Sequence, residues 1–286
     1  MQNKHINKVI VIDWSVFLKM ATNASGNCDL EPTFMAMTMI LGNLKKIGLE
    51  PDDLVIIACD GRDNWRKKYL PETKGDRKEI ESKFQERFPG VYEKFDALLD
   101  KLDVATDWHI VKHDKLEADD WLACASRFYG VFFDKPVVLL TIDGDMSQLW
   151  KYENVKWFSP HRSIKRYKIK PDNFNIYKLL SKVILTKGHN NLGVPTTEEE
   201  RETKKLCCDL TQLPEWIEHI CIKKFMTIEP KEFNPQLLRS PTLIERFNEL
   251  FNDKSKIITY EQSIKMVERK KKKLKKKKEI QNGKKC

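Results

Sequence analysis

The sequence predicts an α/β protein: a mostly parallel central sheet with helices on both faces, followed by a helical C-terminal region. Three observations predict it. Continuous apolar runs recur through the first 160 residues and end in aspartate, as strands buried on both faces do. Helix-periodic segments separate these runs. After Pro171 the strand signals stop and only helical patterns remain.

The first strand is Lys8–Asp13, a run of Val and Ile closed by a carboxylate. Phe34, Met37, Ile40, Leu41, Leu44 and Ile47 then recur at helical spacing. Asp53–Asp60 reads as a second buried strand. Residues 74–102 are mostly charged with sparse apolar positions (Phe84, Phe88, Val91, Phe95, Leu98, Leu99), which predicts exposed helices. Trp108–Lys112 is a short strand, Glu117–Phe128 a helix, Pro136–Asp143 a third long strand and Val155–Phe158 one more. Beyond residue 170, helices are expected at 171–186, 197–208, 212–226, 235–251 and 260–280. Thr196 and Thr197 with Glu199 and Glu200 form overlapping capping boxes, a helix start. The domain plan is a core at 1–170, a helical region at 171–265 and a Lys-rich tail at 266–286.

Composition narrows the function classes. Among 286 residues, 41% are hydrophobic and 33% charged, enough to bury a core. No run approaches the ~20 apolar residues of a membrane span. The polar opening Met1–Lys8 leads directly into a strand, so a cytoplasmic protein is expected. Seven cysteines without a CxxC pair argue against a disulfide framework or a zinc ribbon. The net charge is +10, from 52 basic and 42 acidic residues. Eleven basic residues and one acid lie between Arg269 and Lys285, so the remainder is balanced at 41 of each. Such a tail calls for an anionic partner, nucleic acid first, with a solvated solubility tail as the plain alternative.

The functional signal is where the acids fall. In open α/β sheets, sites form beyond the carboxyl ends of the strands. Asp13, Asp60 and Asp143 end three strands, and Asp145 follows two residues on. Glu117, Asp119 and Asp120 open a helix, with Glu117 and Asp120 on one face and Asp119 turned aside. Seven carboxylates on one rim repel one another and call for a cation. An all-oxygen donor set selects a hard ion, Mg²⁺ with Mn²⁺ as substitute, and a phosphodiester substrate. After Asp60, the segment 61–77 places Arg66, Lys74 and Arg77 on a loop leaving the same rim, where cations can stabilise charge on a scissile phosphate. Tyr69 lies in the same segment. Arg162, Lys165, Arg166 and Lys168, with Lys187 and Gly188, are candidates for contact with a nucleic-acid backbone. For residues 161–170 an edge strand protected by Lys is an equal reading.

These pieces resemble the 5′-nuclease superfamily of flap endonucleases and 5′→3′ exonucleases, and within it the phage branch. The matching pattern is Val-Ile-Asp13, Asp60 followed by an Arg…Tyr…Lys-Gly-x-Arg block, Glu117-Ala-Asp119-Asp120, and Thr-Ile-Asp143-Gly-Asp145, over residues 8–160. The resemblance implies a two-metal nuclease acting near 5′ ends, flaps or nicks of DNA and RNA–DNA duplexes, a monomer working beside replication proteins, in a host cytoplasm if phage-borne. It implies Asp60, Glu117 and Asp119 or Asp120 at a first ion with Asp13 close by, and Asp143 and Asp145 at a second. It further implies Lys74 and Arg77 on the scissile phosphate and a helical arch at 78–102. The family's helix–hairpin–helix would be degenerate here: Lys187–Pro195 is short and lacks two expected aspartates, which weakens the second metal site. A PIN-type endoribonuclease and a catalytically impaired DNA-structure-binding protein are the alternative readings.

Overall fold

The computed structural model describes residues 6–25, 31–70, 85–161, 166–185, 194–252 and 257–283. Among the described residues, six strands form one sheet: β1 (Val9–Asp13), β2 (Leu54–Ala58), β3 (His109–Val111), β4 (Val137–Leu140), β5 (Val155–Ser159) and β6 (Arg166–Tyr167). Their spatial order is β3-β2-β1-β4-β5-β6. All neighbouring pairs are parallel except β5 and β6, which run antiparallel. β1, β2 and β4 are buried along their whole length, as their unbroken Val/Ile/Leu runs require. The strand order reverses between β1 and β4, so the topological switch point lies beside Asp13.

Alternate side chains of each strand feed two cores. Ile10, Ile12, Val55, Ile57, Val138 and Leu140 face the first. It is covered by α1 (Trp14–Ser25), α2 (Pro32–Ile47), α3 (Val91–Ala105) and α8 (Pro241–Asn252). Val9, Val11, Ile56, Leu139 and Trp157 face the second, under α4 (Ala118–Arg127) and α7 (Glu215–Met226). The expected stripe of α2 is in place: Met37, Ile40, Leu41, Leu44 and Ile47 are buried. Gly48 ends that helix at φ +76°, a left-handed conformation that favours glycine, with its N–H donated to Leu44 O.

Three further helices follow among the described residues. α5 spans Ile176–Leu185, and α6 spans Glu198–Cys208, opened by the expected capping box between Thr197 and Glu200. α9 spans Tyr260–Gly283. Helices beyond residue 171 build the same two cores as the sheet: Ile217, Cys221 and Phe225 of α7 enter the second, and Leu243, Phe247 and Leu250 of α8 the first.

One expectation is corrected. Of the stretch read as exposed helices and an arch at 78–102, the described part from Val91 onward is a core helix. Val91, Phe95, Leu98, Leu99 and Leu102 line one side of α3 and are buried against the sheet. Their spacing of four, three, one and three residues is a core stripe, and the intervening charges face solvent. Residues 78–84 and the degenerate segment 187–193 lie outside the described residues.

Candidate functional site

The acids named from the sequence occupy one rim, at the carboxyl ends of the parallel strands. Asp13 closes β1, Asp60 lies two residues past β2, and Asp143 three past β4. Glu117 is the N-cap of α4, with Asp119 and Asp120 in its first turn. α4 is brought to the rim by a short backbone ladder. Gly61 N–H donates to Leu116 O (2.6 Å), Asp63 N–H to Asp114 O (2.8 Å) and Trp65 N–H to Lys115 O (3.0 Å). A Cβ at Gly61 would meet the carbonyl oxygens of His113 and Asp114 at 2.2 Å, so this approach requires glycine.

Each carboxylate is tied to a different backbone element. Asp13 is buried. Its Oδ1 accepts from Ser15 Oγ (3.0 Å) and Val16 N–H (3.3 Å), and its Oδ2 accepts from Thr141 Oγ1 (2.8 Å) across the switch point. Asp60 is exposed and accepts the first N–H of α4, from Ala118 (2.8 Å). Asp143 Oδ1 accepts from Asp145 N–H (2.9 Å) at the start of the 3-10 helix Gly144–Lys151. Thr141, which no sequence signal marked, also receives the N–H of Asp143 on its Oγ1 (3.1 Å). One hydroxyl thus joins the two strand ends.

Glu117 and Asp120 do share a face, as the spacing implied, but that face is turned onto Arg66. Asp120 is fully buried. Its Oδ1 accepts from Arg66 Nη2 (2.7 Å), and its Oδ2 from Arg66 Nη1 (3.2 Å), Trp65 Nε1 (3.2 Å) and the Glu117 N–H (2.9 Å). Glu117 Oε2 accepts from Arg66 Nη1 at 3.0 Å. Arg66 Nε donates to Cys207 O (2.7 Å), and the guanidinium stacks 4.6 Å from the Trp65 ring centroid. Burial alone would lower the Arg66 pKa, but Asp120 and Glu117 raise it. Arg66 therefore does not stand on an open loop: it lies in the 3-10 helix Trp65–Lys68, buried under the rim. Asn64 caps this turn through Arg66 N–H (2.8 Å), and Cys207 O, Glu117 and Asp120 hold the side chain inward.

Half-buried Asp119 is the acid of this turn on which the strand-end carboxylates act. Its carboxyl is pushed well above the usual carboxylate range by burial, then by Asp143, Asp13 and Glu117, with Arg66 opposing. Burial, with the charge of Asp60 added, pushes the Asp13 carboxyl up to about 6. These acids feel one another across the switch point. Among the described residues, no three His, Cys, Asp or Glu side chains converge closely enough to hold a metal ion as they stand. Asp13, Asp60, Glu117, Asp120 and Asp143 are each held by a backbone or side-chain donor of their own. The donor chemistry nevertheless fits a hard divalent ion: the groups are all oxygen, and their mutual repulsion is relieved by positive charge.

Of the remaining named residues, Tyr69 is exposed and edge-on to Trp65, 6.0 Å between centroids. Arg166 and Lys168 lie on or beside edge strand β6, with Lys168 Nζ 5.3 Å from the Trp157 ring centroid. Lys74, Arg77, Arg162, Lys165, Lys187 and Gly188 lie outside the described residues. Gln148 was missed by the sequence reading. Its Nε2 donates to Cys208 O (3.0 Å) and its Oε1 accepts from Leu210 N–H (3.0 Å), so the end of α6 is anchored beneath the rim beside the Arg66 contact.

A doubly wound α/β fold with its acids gathered beyond the carboxyl ends of the strands, at the switch point, defines the class. The profile of the 5′-3′ exonuclease N-terminal resolvase-like domain matches residues 14–176, more than half of the chain, and the chain belongs to that family. Ribonuclease H of Enterobacteria phage T4 is 26% identical over 128 residues, 44% of this chain. The match spans 42% of the T4 protein's length. Among solved structures, the T5 D15 protein co-crystallized with metal ions superposes with a TM-score of 0.54 at 14% identity, covering 85% of this chain and 99% of that one. The bacteriophage T5 D15 flap endonuclease in a complex with DNA and metal ions gives 0.51 at 13% identity, over 86% and 98%. At such identities these likenesses show a shared fold.

Proposed function

We propose that the protein is a divalent-metal-dependent 5′-nuclease that hydrolyses phosphodiesters near 5′ ends, flaps or nicks of DNA or RNA–DNA duplexes. The observation that carries the reading is the placement of Asp13, Asp60, Glu117 and Asp143 beyond the carboxyl ends of the parallel strands beside the switch point, with the Thr141 hydroxyl joining Asp13 to Asp143. Family membership supports it, and the T5 neighbours were solved with metal ions.

Asp13, Asp60, Glu117, Asp119, Asp143 and Asp145 are the residues that would hold Mg²⁺, or Mn²⁺ in its place, in two sites. The bound cations would supply Lewis acidity toward water and the leaving oxygen. The chain's own residues do the positioning. Thr141 fixes Asp13 relative to Asp143. The Ala118 N–H fixes Asp60 against α4. Arg66 neutralises Asp120 and orients Glu117, leaving Asp119 as the acid of this turn directed at the strand ends. Lys74 and Arg77 are proposed to neutralise the scissile phosphate, and Tyr69, Arg166 and Lys168 to contact the nucleic acid.

A 5′-labelled flap or nicked duplex, incubated with Mg²⁺ or with EDTA, tests the proposal. Release of short 5′ products only with metal is the expected result. Tight binding without cleavage in Mg²⁺ or Mn²⁺ would overturn it in favour of a structure-binding protein.

A further inference from the structure

Where α6 ends and the chain turns toward α7, Cys207, Asp209, Leu210 and Thr211 are all buried. A buried connection must find partners for its backbone polar groups. This one takes them from three elements around the sheet. Cys207 O accepts from Arg66 Nε (2.7 Å), in the turn after β2. Cys208 O accepts from Gln148 Nε2 (3.0 Å), and Leu210 N–H donates to Gln148 Oε1 (3.0 Å), in the turn after β4. Thr211 O accepts from Arg127 Nη1 (3.3 Å), at the end of α4. Within the segment, Asp209 Oδ1 accepts from Thr211 N–H (2.8 Å) and from Thr211 Oγ1 (2.7 Å).

Two of these donors also serve the rim. Arg66 holds Glu117 and Asp120. Gln148 stands three residues after Asp145 in the 3-10 helix Gly144–Lys151. Side chains three apart in a 3-10 helix eclipse, so Asp145 and Gln148 project from one side of it. Met146 and Leu149, again three apart, form the neighbouring side and enter the second core. This helix has eight residues, and its winding is uncommon beyond about three or four. Relaxation to an α-helix would turn residues three apart by about 60° relative to one another, taking Asp145 off the line above Gln148. Gln148 is fully buried, and both ends of its amide are engaged, 60 and 62 residues away in the chain. That pins the turn. The Cys208 thiol feels both sides of the arrangement: burial, then the charge of Asp145, pushes it up to about 11, and Arg66 opposes.

We propose that Gln148 is a positioning residue of the metal centre: it fastens the Asp145 turn to the end of α6, on the carbonyl next to the one Arg66 holds, and so sets the spacing between the Asp143–Asp145 pair and the turn of Glu117 and Asp119. The proposal rests on the reading of these acids as ligands of a divalent cation. Gln148 acts through the turn that carries Asp145. Its partners Cys208 and Leu210 lie beyond the residues 14–176 that match the family profile, so the acids of the matched region take their spacing from a peptide outside it.

The test is Mn²⁺ binding to the full chain without nucleic acid, read from the electron paramagnetic resonance signal of the free ion. Gln148→Met keeps an unbranched side chain of similar length and removes both hydrogen bonds. It should weaken Mn²⁺ binding about 10-fold, the lower end of what ligand-orienting contacts supply. Asp145→Asn alters the carboxylate itself and identifies the ion affected. The two variants should weaken the same site, and together lose less than the product of their separate losses. Thr106→Val is the structural control. Thr106 is fully buried ahead of β3, at the amino-terminal ends of the strands, where its hydroxyl donates to Leu102 O (2.7 Å) and accepts from Trp108 N–H (3.2 Å). It should lower the urea midpoint as Gln148→Met does, yet leave Mn²⁺ binding within about twofold of wild type. Gln148→Asn, a shorter amide that reaches one of the two partners, should fall between, and it decides the question if Gln148→Met does not fold. Wild-type Mn²⁺ binding by the Gln148 variants, or an equal loss in Thr106→Val, would overturn the proposal alone. A wild-type chain that binds no Mn²⁺ would overturn the reading of the acids as cation ligands, and this proposal with it.

Discussion

Replacing Arg66 with Met isolates the buried clamp beneath the rim. Asp120 has no solvent exposure and would lose two charge-assisted contacts, both to one guanidinium group, at 2.7 and 3.2 Å. Cys207 O would lose its donor, and Glu117 its 3.0 Å partner. Breaking a buried ion pair from one side costs about 3–5 kcal/mol, because the remaining charge is left uncompensated. Trp65 Nε1 and the Glu117 N–H still donate to Asp120, which points to the lower end, about 3 kcal/mol. The assay is urea unfolding at pH 7 in EDTA, for Arg66→Met, Asp120→Asn and the double variant. In the wild-type background Asp120→Asn should destabilise, since it leaves Arg66 buried without its anion. In the Arg66→Met background the same change should stabilise, since it removes the orphaned carboxylate while its amide oxygen still accepts the two N–H groups. That reversal of sign is the specific signature of the clamp. Equal destabilisation by Asp120→Asn in both backgrounds, or a cost for Arg66→Met below about 1 kcal/mol, would refute the reasoning.

Three further outcomes are expected. Asp60→Asn keeps the acceptor for Ala118 N–H but removes the charge; flap cleavage in Mg²⁺ should fall at least about 100-fold while duplex binding in EDTA persists, and retention of near wild-type turnover would remove Asp60 from the proposed ligands. The Asp13 carboxyl, raised to about 6 from 3.8 in the folded state, holds its proton longer there than in the unfolded chain. Its contribution in EDTA should therefore be greatest below about pH 4 and decline by about 3 kcal/mol as pH rises to above 6, read as the stability difference between wild type and Asp13→Asn; a pH-independent difference would contradict the assignment. Gly61→Ala drives a Cβ into two backbone carbonyls at 2.2 Å and should lower the urea midpoint by the equivalent of about 1–3 kcal/mol, whereas an unchanged midpoint would mean the 61–65 ladder is readily displaced.

The sheet and the placement of its acids were legible because both rest on local patterns. An unbroken Val-Ile-Val-Ile run followed by Asp predicts a doubly buried parallel strand with its carboxylate at the rim, and β1 is that strand. The capping box at Thr197 and Glu200 was likewise written in four consecutive residues. The fate of Val91–Ala105 was harder to read because its charged residues are as many as those of the narrow apolar stripe that buries it. Average polarity suggested an exposed element, whereas burial follows one face. The role of Arg66 could not be read from its neighbours at all. Its carboxylate partners are 51 and 54 residues away in the chain, and the ladder from Gly61 to Trp65 helps to bring them together.

That long-range contact changes how the Glu-Ala-Asp-Asp segment divides its labour. Three acids in one helical turn are equivalent by composition and by position relative to the helix dipole. Arg66 makes them unequal. It holds Asp120 and Glu117 by direct ion pairs, and it acts on Asp119 less than burial and the neighbouring acids do. Asp119 is left under the combined repulsion of Asp143, Asp13 and Glu117, an arrangement that a hard cation relieves and that the protein's own buried cation does not. The same guanidinium reaches Cys207 O, while Gln148 holds Cys208 O and Leu210 N–H, so the end of α6 is fastened to the clamp and to the 3-10 turn after Asp145. Two strand ends, one helix start and one helix end therefore meet through Thr141, Arg66 and Gln148, three side chains whose own place is fixed by hydrogen bonds. Carboxylates that repel one another keep a defined spacing only when the elements carrying them cannot move apart, and those three contacts supply that restraint from beneath the rim.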